Sequence, residues 1–188
     1  MKRRGFLLGA AGVAGAVASP RVSVADAATD DDLAYANFGL ASSYLLADFY
    51  GRALDAGRLG TAARRPLRAG RAASNQHARA LTALLAGAGD SPAAAEDFAF
   101  EWPQGTFTTA GSTREAGLAV LRATSGAYQR ATATSTEPTY RVLFASLAAS
   151  LAEQAGALTA PVGGAPVVPF PAALDLEAAS AALEGYLG

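Results

Sequence analysis

The chain has 188 residues, 51% of them apolar and 8% aromatic, enough for one domain with a buried core. It has no cysteine, which excludes disulfides, thiolate metal sites, cysteine nucleophiles and a lipid-anchoring cysteine. Of 15 basic residues against 16 acidic, Lys2, Arg3, Arg4 and Arg21 lie near the N-terminus; without them eleven basic residues remain, all arginine, for a net charge of −5, which excludes lysine Schiff-base chemistry and suggests no nucleic-acid partner.

The first element in the chain is an export segment. Arg3-Arg4 stands directly before Gly5-Phe6-Leu7, a spacing that resembles the twin-arginine export motif. The Gly- and Ala-rich run 5–18 that follows is shorter than the roughly 20 apolar residues a bilayer span requires. Ser23-Val24-Ala25 offers small residues for cleavage after Ala25, with Ala25-Asp26-Ala27 as a second option. The expectation is a signal peptide over 1–25 and a mature domain over 26–188, exported through the twin-arginine translocase to the periplasm, cell envelope or exterior. No permanent membrane span is expected in the mature form, and a homodimer is left open.

Asp30-Asp31-Asp32 opens the first helix, where acidic side chains suit the amide dipole. Leu33, Asn37, Leu40 and Tyr44 form one stripe and Tyr35, Phe38, Leu45 and Phe49 another, so the helix is apolar on nearly all sides and buried; it ends near Gly57. A second helix runs from about Arg64 to Leu85, with Pro66 in its first turn, an inner stripe of Leu67, Gly70, Ser74, His77, Leu81 and Leu84, and a stop at Gly87-Ala88-Gly89. Residues 89–111 form a long connection in which Phe98, Phe100 and Trp102 alternate with Ala99 and Glu101, as in an extended piece laid over the bundle.

Ser112 and Glu115 fit a capping box that starts the third helix, which continues through Leu118, Leu121, Ser125 and Tyr128. Glu137-Pro138 starts the fourth, with Tyr140, Leu143, Phe144, Leu147, Leu151 and Leu158 as apolar positions. Pro161, Pro166, Pro169 and Pro171 keep the next stretch extended. Asp175 caps a short last helix whose Leu176, Ala179, Leu183 and Leu187 face inward. The predicted fold is all-α: four long helices, a long crossover between the second and third, and a short C-terminal helix.

Ser43–Tyr50, Ser74–Leu81, Phe98–Pro103, Ala127-Tyr128 and Pro169–Leu176, in this order and spacing, resemble the exported bacterial ferritin-like domain proteins of the desiccation-related type, over about residues 30–187. The resemblance implies a ferritin-like four-helix bundle holding a pair of iron or manganese ions. In such bundles two helices each supply a Glu and two others each a Glu-x-x-His pair. Carried onto this chain, those positions fall at about Ser43, at Ser74 and His77, near Leu121, and at Leu151 and Gln154; a shifted register on the fourth helix gives Glu153 and Gly156. Composition agrees: no Asp or Glu occurs from Gly57 to Ala88, and His77 is the one histidine of the chain. A six-ligand dinuclear site cannot be assembled from these residues.

His77, Glu153 and Asp48 are the residues left that could contribute to a residual mononuclear site. The alternatives are a core histidine bonded to Ser, Gln or Tyr side chains, and an Asp48 that meets water or Arg52. Arg64, Arg68 and Arg71 share a stripe, with Arg65 beside them: a solvated face, or a patch for phosphate or an anionic polymer. Tyr35, Tyr44, Tyr128 and Tyr140 read as core residues with one wet end. A single histidine in this setting excludes a hydrolytic triad. The expectation is an exported, non-catalytic ferritin-like bundle with a degenerate metal site, no cofactor, and a binding, envelope or stress-associated role. The alternative is a metal-dependent oxidase or iron-handling protein with an unusual ligand set.

Overall fold

The computed structural model describes residues 28–159 and 170–187; the segment expected to direct export, with Arg3, Arg4, Phe6, Leu7 and Ala25, and residues 160–169 lie outside them. Five helices follow one another: α1 Asp30–Ala56, α2 Arg64–Gly87, α3 Ala110–Thr134, α4 Pro138–Thr159 and α5 Leu176–Leu183. α1 packs along α2 and α3 along α4; the two hairpins meet chiefly through α1 and α3, and α5 lies on α3.

Each boundary has a local cause. Thr29 caps α1 in a capping box: its Oγ1 accepts from Asp32 N at 3.1 Å, and Asp32 Oδ2 accepts from Thr29 N at 3.2 Å. Gly57, at φ 64°, closes the helix in the left-handed region. At the end of α2 the amides of Gly89 and Asp90 bond back to Ala86 O and Leu85 O, the hydrogen bonds of a Schellman turn. Asn37 Nδ2 donates to Asp90 Oδ2 at 2.8 Å, tying the start of α1 to the end of its antiparallel neighbour. Asp175 caps α5 through Ala178 N at 2.8 Å.

The cap of α3 differs from the one expected. Thr109, not Ser112, is the N-cap, and Ser112 takes the third helical position, its Oγ accepting from Thr109 N at 3.3 Å while its amide donates to Thr109 Oγ1 at 3.0 Å. The extended backbone an N-cap needs occurs at Thr109 (φ −130°, ψ 162°), so the helix begins one turn earlier and Glu115 is left exposed.

α1 is the central helix: from Asp32 to Gly51 none of its residues is exposed. α2 and α3 cover two sides, and the crossover covers another. Phe98 packs on Tyr44 and stacks on Phe100 at 5.8 Å, while Trp102 lies 5.6 Å from Phe49. The extended piece is held at its far edge by one bridge, Phe100 to Leu187, and by Glu101 N donating to Tyr186 O at 3.0 Å. Leu187 therefore points out, 47% exposed, rather than inward: a 3-10 turn over Glu184–Tyr186 ends the helical register before reaching it. Leu85 rather than Leu84 is the fully buried residue at the end of α2. α4 is long and apolar enough to cross a membrane by length and composition, and here it forms a wall of the bundle with Tyr140, Phe144, Leu147 and Leu151 buried.

Candidate functional site

The interior between the four long helices is where a bundle of this class builds a site, and it is filled with aromatic rings set against glycines. Tyr50 of α1 lies over Gly70 of α2, so close that a Cβ there would fall 2.4 Å from the ring. Tyr128 of α3 meets Gly39 of α1 in the same way, and Phe49 meets Gly117 of α3; added Cβ atoms would fall 2.3 Å from each. Tyr50 Oη donates across the interior to Gln154 Oε1 of α4 at 2.9 Å. Beside this bond a recess of about 10 Å3, lined by Ala63, Pro66, Leu67 and Leu158 among others, has room for no more than one water-sized body.

The buried polar side chains of the bundle are mostly hydroxyls and amides: Ser43, Ser74, Thr124, Ser125 and Gln154, together with His77. Asp32 is the buried carboxylate among the described residues, and it is committed to the Thr29 cap. Ser43 donates to Gly39 O at 2.7 Å. Among the described residues Ser74 Oγ, Ser125 Oγ, Tyr128 Oη and Tyr140 Oη have no hydrogen-bond partner. Burial pushes the Tyr50 and Tyr128 phenols well above their ordinary value. Tyr128 and Tyr140 thus end in buried hydroxyls, not the wet ends expected: Tyr128 is seated over Gly39 of α1, and Tyr140 packs against Phe144 with ring centroids 6.1 Å apart.

His77 is buried on the inner stripe of α2, and desolvation lowers its pKa to about 4, so the imidazole is neutral. Among the described residues the expected bonds to Ser, Gln or Tyr side chains do not form. Of the candidate partners, Tyr50 and Gln154 are engaged with each other. The other two candidate ligands face elsewhere. Glu153 is exposed on α4, one residue before the buried Gln154. Asp48 lies between α1 and the crossover, where its Oδ2 accepts from Arg52 Nε and from Trp102 Nε1, both at 2.7 Å. The Arg52 contact was readable from the i, i+4 spacing; the Trp102 bond spans 54 residues and has no local signal.

Among the described residues no three His, Asp or Glu side chains group together as metal ligands. Two cations of charge two or three call for carboxylates around them, and this donor set does not fit such a pair. A second, open depression of about 380 Å3 lies between the crossover and α3, lined by Gln104, Thr106, Ser112, Glu115 and Tyr186, away from the interior.

Four long helices, a long covered crossover and an inward-facing set of positions at Ser43, Ser74, His77, Leu121, Leu151 and Gln154 define an all-α bundle of the ferritin-like class. The family model for the ferritin-like domain matches residues 31–164, and the chain belongs to that family. No curated protein and no solved structure matches it.

Proposed function

We propose that this is an exported ferritin-like bundle, akin to the desiccation-related type, in which packed side chains have replaced the dinuclear metal site, and that it acts without catalysis in a binding, envelope or stress-associated role. One observation carries the reading: the Tyr50–Gln154 bond runs through the interior where two carboxylate-rich helices would otherwise face each other, with Gly70 making room for the ring. The absence of any Asp or Glu from Gly57 to Ala88 supports it independently, since α2 then has no carboxylate to offer. The deciding measurement is elemental analysis of the folded, purified protein. The expected result is iron and manganese far below one equivalent per chain; two equivalents per chain would overturn the reading.

Export rests on Arg3-Arg4 before Phe6-Leu7 and on the small residues that end at Ala25. Replacing both arginines by lysine keeps the charge and removes the pair. The variant is expected to stay in the cytoplasm, and export at the wild-type level would rule out the twin-arginine route.

A further inference from the structure

Helix α2 carries Arg64, Arg65, Arg68, Arg71 and Arg79, all exposed. At 3.6 residues per turn, Arg64, Arg68, Arg71 and Arg79 line one flank, with Asn75 filling the gap in the series, and the row is about 22 Å long. The buried stripe of Leu67, Gly70, Ser74, His77 and Leu81 lies on another side of the helix, so the row faces solvent.

By itself the row is unfavourable. Arg64 and Arg68 stand four residues apart, Arg65 and Arg68 three, and Arg68 and Arg71 three, so like charges are neighbours along the surface. Arg64 and Arg65 also occupy the first turn, at the positive end of the amide dipole, after an Ala63 that supplies no side-chain cap. Nothing within the described residues offsets this: the one ion pair there joins Arg52 to Asp48.

The chemistry of the face selects its partner. Every cation is a guanidinium, whose planar fork holds tetrahedral oxyanions with two bonds at once. The exposed residues between them are Ala69, Ala72, Asn75, Gln76 and Ala80. There is no ring on which a base could stack and no long apolar chain to enter a bilayer. Outside residues 57–88 the described chain carries five arginines against fifteen carboxylates, so a polyanion is attracted by this face and repelled by the rest of the surface. From this we infer that the arginine row of α2 is a docking surface for a linear, base-free phosphate polymer laid along the helix axis. The inference does not depend on whether the interior holds metal.

Inorganic polyphosphate is the probe, with binding to the full chain followed by fluorescence anisotropy between about 50 and about 200 mM salt. Contacts from four or five arginines predict a log–log salt slope of about −3, at roughly −0.7 per phosphate contact. The triple variant R64Q/R68Q/R71Q should weaken binding at low salt at least about tenfold and bring the slope to about −1. The control variant R122Q/R130Q, altering two exposed arginines of α3, should bind as wild type does. All proteins compared share the same N-terminal segment, so its charges cancel from the differences, and circular dichroism checks that each variant folds. Equal loss in both variants, a salt-independent affinity, or tighter binding of phosphatidylglycerol vesicles or single-stranded DNA than of polyphosphate would overturn the assignment.

Discussion

The Tyr50 hydroxyl donates to Gln154 Oε1 at 2.9 Å, and with its ring seated on Gly70 this one side chain joins α1, α2 and α4. The bond closes two residues 104 positions apart, with neither group in reach of bulk solvent.

Gly70 should therefore resist substitution. In an open helical site Gly→Ala stabilises by about 1 kcal/mol, because alanine has less backbone entropy to lose. Gly156, helical with nothing within 4 Å of an added Cβ, is such a site, and Gly156→Ala should gain roughly 0.5–1 kcal/mol. At Gly70 the new methyl meets the Tyr50 ring at 2.4–2.8 Å, and overpacking should reverse the sign, to a loss of about 1–3 kcal/mol. Urea unfolding of both variants checks the pair, and stabilisation by Gly70→Ala would mean that Tyr50 does not sit where described.

Removing the Tyr50 hydroxyl tests the bond itself. Tyr50→Phe keeps the ring on Gly70 but leaves Gln154 Oε1 buried without its donor, and should cost about 1–2 kcal/mol. Pairing it with Gln154→Met removes both polar partners, and the double variant should be more stable than the sum of the single losses by about 1 kcal/mol. Additive losses in this cycle would show that the two groups do not interact.

Much of this bundle was legible from periodicity and punctuation. The inner stripe of α2 from Leu67 to Leu81 followed from 3.6-residue spacing, and Gly57 and Gly87-Ala88-Gly89 marked helix ends because a left-handed closing residue favours glycine. The α3 cap was misplaced by one turn because Thr109-Ala-Gly-Ser112 and Ser112-Thr-Arg-Glu115 overlap at Ser112. Which of them caps depends on the turn at Gly105–Thr108 that delivers the chain to Thr109. The depth of Tyr128 was hidden for a different reason: spacing identifies a face, whereas depth is set here by a small residue on another helix, Gly39. In the site, the shortage of carboxylates was plain from composition. The groups that fill the space, Tyr50 against Gly70 and Gln154, are joined by contacts with no local trace in the sequence.

His77 gives the fold a pH dependence of definite sign. Its folded pKa, lowered by burial to about 4, lies below the ordinary 6.5, so the unfolded chain binds the proton first as pH falls. Stability is then constant above about pH 6.5 and declines from there towards pH 4, by about 2 kcal/mol at pH 5. Most carboxylates stay ionised over the upper part of that window, which isolates the imidazole. Unfolding free energies at pH 7 and pH 5 should differ by that amount in the wild type and by much less in His77→Leu. The same difference in both proteins would place the pH dependence on other groups.

The bond from Trp102 Nε1 to Asp48 Oδ2, 2.7 Å long, pins the crossover to the central helix, and it can be loosened without disturbing the ring. Trp102 packs against Phe49, Phe107 and Tyr186, with ring centroids 5.6, 5.4 and 4.9 Å away, and Trp102→Phe retains much of that apolar contact while deleting the donor. Asp48 is partly exposed and keeps Arg52 as a partner, so the loss should be modest, about 1 kcal/mol. Its location is the sharper prediction. The Glu101 amide donates to Tyr186 O at 3.0 Å at the far edge of the same segment, and it should exchange with solvent several-fold faster in Trp102→Phe, while amides in the middle of α1 and α3 slow or quicken only with the small global change. Asp48→Asn keeps an acceptor of the same shape without the charge, and should fall between wild type and Trp102→Phe. If Glu101 exchanges at the same rate in all three, the crossover is held by its aromatic contacts and the indole bond contributes nothing to its position.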